Sequence, residues 1–335
     1  MESTLYIGTY THGDSKGIYR AVLRDGTPRI AGCTEAVNPS YLAIHGDRLY
    51  AVRETEGGGV ASYRVAPGGE PALVGERPVA GDAPCHLCVA GNLLCVSNYG
   101  SGTLSVFELD GEGEPAPLPR VIAHRGRGPH AERQRAPHVH QALPTPDGSF
   151  LAVCDLGIDA VCFYPLNAQM DAQGIREPAQ SVPMPGGAGP RHAAFGPHGC
   201  WYVLCELSCQ VLAYRGYGDD AKLIQRCDAL RDGDPESIGA AVRLSPDGRL
   251  LLASIRGANT LALWDVSPEG ALSGARWADA RGDGPRDAAF TPDGTHVLCA
   301  CERDDRVTVF ALRDAALEFV GAVAVPMPTC VCFAP

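Results

Sequence analysis

Apolar residues in this chain fall in short blocks, not in helical stripes. Phe150-Leu151-Ala152-Val153-Cys154, Trp201-Tyr202-Val203-Leu204-Cys205 and Leu250-Leu251-Leu252-Ala253-Ser254 are apolar runs bounded by Gly, Pro and Asp. The runs after such blocks alternate. Leu104, Val106 and Leu109 are set against Ser105 and Glu108, and Val307, Val309 and Ala311 against Arg306 and Thr308. Short runs, a period of two and turn punctuation predict β-strands. A tight turn, Pro-Asp-Gly or a relative, precedes the apolar run at Pro146-Asp147-Gly148, Pro197-His198-Gly199, Pro246-Asp247-Gly248 and Pro292-Asp293-Gly294. Pro presets one dihedral there and Gly accepts a positive one.

The pattern recurs along the whole chain. Copies start at Pro39-Ser40, Pro84-Cys85, Pro137-His138, Pro190-Arg191, Ser237-Ile238, Pro285-Arg286 and Pro328-Thr329, spaced 43 to 53 residues apart. Three visible strands and a weaker fourth per copy are the mark of propeller blades. The last start has room for one inner strand only, whereas Leu5-Tyr6-Ile7-Gly8-Thr9-Tyr10 reads as a second strand and residues 17–22 as a third. We therefore expect an all-β, seven-bladed β-propeller, with residues 1–335 as a single domain. The C-terminal strand joins the N-terminal strands in one blade and covers an edge that an open propeller would expose.

Composition narrows the function. No run of roughly 18 apolar residues exists and no basic-then-apolar leader precedes Leu5, so neither a membrane span nor a signal peptide is expected, and a cytoplasmic location follows. A net charge of −11 disfavours nucleic acid as a partner. An edge-free propeller needs no partner, so a monomer is expected. The fourteen cysteines are not a disulfide or zinc pattern. Cys95, Cys154, Cys162, Cys205, Cys299 and Cys332 sit inside apolar runs, where cysteine acts as a small hydrophobe. Cys85/Cys88, Cys299/Cys301 and Cys330/Cys332 lack the second knuckle a zinc ribbon needs. The cysteines are therefore expected to be reduced and structural, not metal ligands.

Candidate chemistry lies where an inner strand begins and a second strand ends, which propeller topology brings to one rim. Those positions carry His86 with Asn98, His138 and His140 with Asp155, Arg191 and His192 with Glu206, Ile238 with Arg256, Arg286 with Glu302, and Ser40 with Glu54. The opposite rim carries the Pro-Asp-Gly turns. His138 and His140, two apart on a strand, share a face. The stretch 110–136 reads as the longest loop; it bears Arg125, Arg127, His130, Arg133, Gln134 and Arg135 and leads into His138. Cations on an acidic protein suit a small anionic ligand.

These motifs resemble the seven-bladed propeller lactonases, bacterial 6-phosphogluconolactonases and the fungal carboxymuconate lactonizing enzyme, over nearly the whole chain. The carriers are residues 6–11, Asn38-Pro39-Ser40-Tyr41-Leu42, Pro84-Cys85-His86, Ser97-Asn98-Tyr99 with Gly102, Arg133-Gln134, Pro137-His138-Val139-His140 and Asp155-Leu156-Gly157-Ile158-Asp159. Gly189-Pro190-Arg191-His192, Glu206-Leu207, Ser254-Ile255-Arg256-Gly257 and Gly284-Pro285-Arg286-Asp287 continue the match. The resemblance implies lactone hydrolysis or formation without metal or organic cofactor, with a catalytic set of His138 or His140, Arg191, Glu206 and Arg256. Ile255 departs from the asparagine usual before that arginine.

Opening a lactone needs a base for water and positive charge for the oxyanion. On this reading His138 or His140 is the base, assisted by Glu206. Arg191 and Arg256 bind the oxyanion and the anionic tail, and His86, Arg133, Asp155, His192 and Arg286 line the substrate. The implied substrate is a small anionic sugar lactone, 6-phospho-D-glucono-1,5-lactone of the pentose phosphate pathway. The alternatives are another anionic lactone, or a noncatalytic binding propeller. Arg256→Ala is expected to cut turnover while leaving thermal stability nearly unchanged.

Overall fold

A computed structural model describes residues 2–166, 175 and 179–334. Its strands form seven four-stranded antiparallel sheets, the blades of a seven-bladed β-propeller. Six blades are meanders of four consecutive strands, such as Val139–Pro144, Phe150–Asp155, Ala160–Pro165 and Gln180–Pro183. The seventh is mixed: Pro328–Phe333 pairs with Glu2–Thr9 in the register Leu5↔Phe333 to Gly8↔Cys330, and Gly17–Arg24 and Thr27–Glu35 complete it. This is the expected closure.

The described chain groups into two compact units. One comprises Met1–Pro39, His192–Gly216 and Lys222–Pro335; the other comprises Ser40–Arg191 and Tyr217–Ala221. Within each, apolar faces of successive blades pack together. Leu93, Cys95, Leu104 and Val106 meet Leu151 and Val153 in the second unit, and Leu204, Val211 and Ala213 meet Leu251, Ala253 and Trp264 in the first. Of the cysteines in the apolar runs, Cys95, Cys154, Cys162, Cys205 and Cys299 are buried and Cys332 is half-buried; all fourteen cysteines are thiols.

Two expectations change. Alternation set Ser105 and Thr308 opposite the apolar face, yet both are fully buried. Each hydroxyl donates to the carbonyl that follows the outer strand of the preceding blade: Ser105 to Val79, and Thr308 to Ala280 at 2.9 Å. A third strand covered on both sides has no solvent face, so its polar positions mark interblade contacts. The stretch 110–136 is also not all loop, because Arg120–Ala123 inside it is the outer strand of its blade. Its alternating burial and short length left little apolar signal.

One device recurs at the turn between second and third strands. Asp159, Cys209, Asn259 and Asp305 all adopt left-handed backbone, and each ties down the segment leading into the next inner strand. Asp159 accepts from the Gly187 and Gly189 amides at 2.7 Å each, just before Pro190-Arg191. Asn259 Oδ1 accepts from Gly284 N at 3.1 Å, just before Pro285-Arg286, and Asp305 Oδ1 accepts from Met327 N at 2.8 Å, just before Pro328. Short side chains that tolerate a positive φ and carry an acceptor suit this position.

Candidate functional site

A second recurrent device aims side chains. In five sheets the inner strand carries one extra residue near its start. Register slips past Cys85, His140, Arg286 and Thr329, and within Ala240-Ala241. A bulge frees a side chain from strand alternation and is common beside active sites. The predicted site residues His140 and Arg286 sit in such bulges. His138 therefore precedes the strand, which begins at Val139, and the strict period of two assumed for the histidine pair does not hold.

In the unit Ser40–Arg191, His138 and His140 form a histidine cluster around Tyr99. His138 stacks on Tyr99 with ring centroids 4.4 Å apart and planes 17° apart, and its Nδ1 lies 2.9 Å from the Tyr99 carbonyl oxygen. His140, 6% exposed, meets the same ring edge-on at 5.6 Å, and its Nδ1 lies 3.8 Å from Cys85 Sγ. The buried His86 ring lies 4.1 Å from that of Tyr41. Arg133 donates to Tyr99 Oη at 3.2 Å, and Ser40 donates to Glu54.

Asp155 serves this cluster from beneath. It is fully buried; Oδ1 accepts from His138 N at 2.8 Å and Gly157 N at 2.9 Å, and Oδ2 lies 2.7 Å from His124 Nδ1. His124 Nε2 in turn lies 2.9 Å from Tyr164 Oη. Both carboxylate oxygens thus hold backbone and loop, although the sequence suggested a place against substrate. Gly157 is required because a Cβ there would stand 2.0 Å from the Ala136 carbonyl oxygen. Gln134, also fully buried, donates to Leu156 O at 2.8 Å and to Asp159 Oδ1 at 2.7 Å. The Asp155–Asp159 motif is therefore the anchor of the arginine-bearing segment and of the segment leading to Arg191. Asn98 likewise turns inward, donating to Thr103 at 3.0 Å and Ser105 at 2.8 Å.

In the other unit the polar centre is a guanidinium–carboxylate pair. Arg256 donates to Glu206 Oε2 at 2.9 Å and to the Gly239 carbonyl at 2.9 Å, with side-chain exposures of 11% and 4% for the ion pair. Burial pushes the Arg256 guanidinium below its ordinary value, and Glu206 opposes that shift. Removing Arg256 would take a charge partner from the buried Glu206 carboxylate, so Arg256→Ala is expected to lower stability as well as turnover. Cys209 donates to Ser237 O at 3.0 Å, and burial pushes its thiol up to about 12, so it is inert beside this pair. Arg286 donates to Glu302 at 3.2 Å and to Tyr10 Oη at 2.6 Å, with its guanidinium 5.0 Å from the Tyr10 ring centroid. Arg191 and His192, each 3% exposed, are consecutive on strand Pro190–Phe195; Arg191 closes one unit and His192 opens the next segment of the other.

The structure thus brings together His86, Arg133, His138, His140 and Asp155 in one unit, and Glu206, Arg256 and Arg286 in the other. It places Glu206 against Arg256. Sequence reasoning gave no role to Tyr10, Tyr41, Tyr99, Cys85 or His124. The signal for the tyrosines was their rarity, since they are the aromatics at strand ends beside the charged positions. Among the described residues, no group of three or more His, Cys, Asp or Glu is placed to hold a metal ion.

The model of the Lactonase, 7-bladed beta-propeller family matches residues 4–333. The Bacillus subtilis 6-phosphogluconolactonase is 32% identical over 348 aligned positions, covering 98% of this chain and 97% of that protein. The Formosa agariphila 6-phosphogluconolactonase is 26% identical, covering 91% of each. The solved structure of the Pseudomonas aeruginosa periplasmic gluconolactonase superposes with a TM-score of 0.92 at 30% identity, covering 100% of this chain and 99% of that one.

Proposed function

Since the chain belongs to the Lactonase, 7-bladed beta-propeller family and is a lactone hydrolase, we propose that it hydrolyses 6-phospho-D-glucono-1,5-lactone to 6-phosphogluconate. The observation that carries the substrate is the end-to-end similarity to the Bacillus 6-phosphogluconolactonase. The corresponding setting is the cytoplasmic pentose phosphate pathway, with residues 1–335 acting as one monomeric domain that unfolds in a single calorimetric transition.

We assign the base to His138, which is half-buried and has one ring nitrogen engaged by a carbonyl. Its Nε2 takes a proton from water as the water oxygen bonds to lactone C1. The carbonyl oxygen becomes an oxyanion, and Arg191 and Arg256 are the guanidiniums proposed to stabilise it. Glu206 keeps Arg256 in place. Collapse breaks the C1–O5 bond, and the ring oxygen leaves as a hydroxyl by taking the proton from His138. The acid product then loses its own proton to solvent.

The similarity to a gluconolactonase favours a second substrate, glucono-1,5-lactone without phosphate. Freshly generated 6-phosphogluconolactone, followed through 6-phosphogluconate dehydrogenase and corrected for spontaneous opening, separates the two. Turnover with the phosphorylated lactone well above that with the plain lactone is expected. Equal rates, or none above background with the phosphorylated substrate, would overturn the assignment.

A further inference from the structure

Relatives of nearly equal identity carry names that differ by one phosphate, so a residue that reads the phosphate is the determinant to find. Arg133 is the cation held beside the histidine cluster on a rigid support. Its own amide donates to His130 Nδ1 at 3.2 Å. Next to it the fully buried Gln134 donates to Leu156 O and Asp159 Oδ1 and accepts from His130 N at 3.0 Å. The neighbouring Arg125, Arg127 and Arg135 are exposed. Arg133 alone of these four is half-buried, and it reaches the Tyr99 hydroxyl.

Tyr99 touches His138 in two ways. Its carbonyl oxygen has no proton to give, so at 2.9 Å it accepts from Nδ1–H of the neutral imidazole and leaves the lone pair on Nε2. Its ring lies parallel to the imidazole and fixes the plane in which that lone pair points. The same side chain then passes its hydroxyl to Arg133, whose planar guanidinium suits a phosphate.

We propose that Tyr99 is a positioning residue that joins base to specificity: it holds His138 as the Nδ1–H tautomer and sets Arg133 to receive the substrate phosphate. This rests on His138 being the base and on a phosphorylated lactone being the substrate. No atom of Tyr99 reacts.

The test compares 6-phosphoglucono-1,5-lactone with glucono-1,5-lactone in the wild type, Tyr99→Phe, Tyr99→Leu, Arg133→Met and His138→Gln. Tyr99→Phe keeps the stack and loses the hydroxyl. Its preference for the phosphorylated lactone, as a ratio of kcat/KM values, should fall about tenfold, through KM, as it does in Arg133→Met. Tyr99→Leu loses the stack, and kcat should fall on the order of tenfold on both lactones. Nitrogen-15 NMR of the neutral imidazole in the wild type should show the His138 proton on Nδ1. An unchanged preference in Tyr99→Phe would sink the phosphate role, and an Nε2–H pattern in the wild type would sink the tautomer role even if Tyr99→Leu failed to fold. Full activity in His138→Gln would overturn the base itself. An inactive His138→Gln beside wild-type behaviour in both Tyr99 variants would overturn the role of the Tyr99 side chain while leaving His138 as the base.

Discussion

Glu206 follows the second strand of one blade, Arg256 ends the second strand of the next, and the two meet at 2.9 Å with little exposure of either side chain. Breaking a buried pair on one side removes part of the compensation of the charge that remains. Arg256→Ala should therefore lose about 3 kcal/mol of stability as well as turnover. The double variant Glu206→Gln with Arg256→Met should regain most of that stability and stay inactive. Denaturant melts beside the lactone assay separate the two effects; a double variant as unstable as the single would contradict the charge explanation.

Asp159 accepts three hydrogen bonds of 2.7 Å, from Gln134, Gly187 and Gly189. Asp159→Ala leaves these donors without their acceptor and should cost about 3 kcal/mol. Turnover should fall as well, because the segments bearing Arg133 and leading to Arg191 both lose their anchor. Asn259→Ala, which removes an uncharged counterpart before Arg286, should cost about 1 kcal/mol. Equal costs at the two positions, read from urea midpoints, would show that charge does not matter here.

Removal of residues 328–334 should abolish stable folding. That strand covers Glu2–Thr9 from Leu5 to Thr9, and its loss exposes a long edge to other chains. The truncated chain is expected to aggregate in light-scattering measurements, and a soluble species with wild-type melting would refute this.

Acid should weaken the Pro-Asp-Gly turns. Hydrogen bonds from Ser245 and Thr291 hold the Asp247 and Asp293 carboxyls below the ordinary 3.8. A group lowered in the folded state stabilises it above its unfolded value, and that contribution is lost as pH falls through the lowered value. The melting temperature should drop more steeply below about pH 4 in the wild type than in Asp247→Ala/Asp293→Ala. Parallel curves would refute it.

Blade count and closure were legible because strand runs such as 150–154 and 201–205 are apolar on both faces and bounded by turn residues. The outer strand Arg120–Ala123 was not, since only Ile122 within it is deeply buried. Charged residues at strand ends announced the clusters, but not their internal wiring. A sequence places Asp155 and His138 on paired strands. It does not show that both carboxylate oxygens are taken up by His138 N, Gly157 N and His124. Nor does spacing reveal a bulge, which moves His140 off its alternation without any change in residue type.

The repeated bulge also separates two kinds of inheritance. Residues in the regular part of an inner strand are bound to the core by alternation, so exchanging one disturbs neighbours on both sides. Cys85, His140, Arg286 and Thr329 stand outside that alternation. Each of these four blades therefore carries one position at which evolution, or an engineer, can trade chemistry by a single codon while the scaffold keeps its sequence. A propeller built this way can change its substrate one blade at a time.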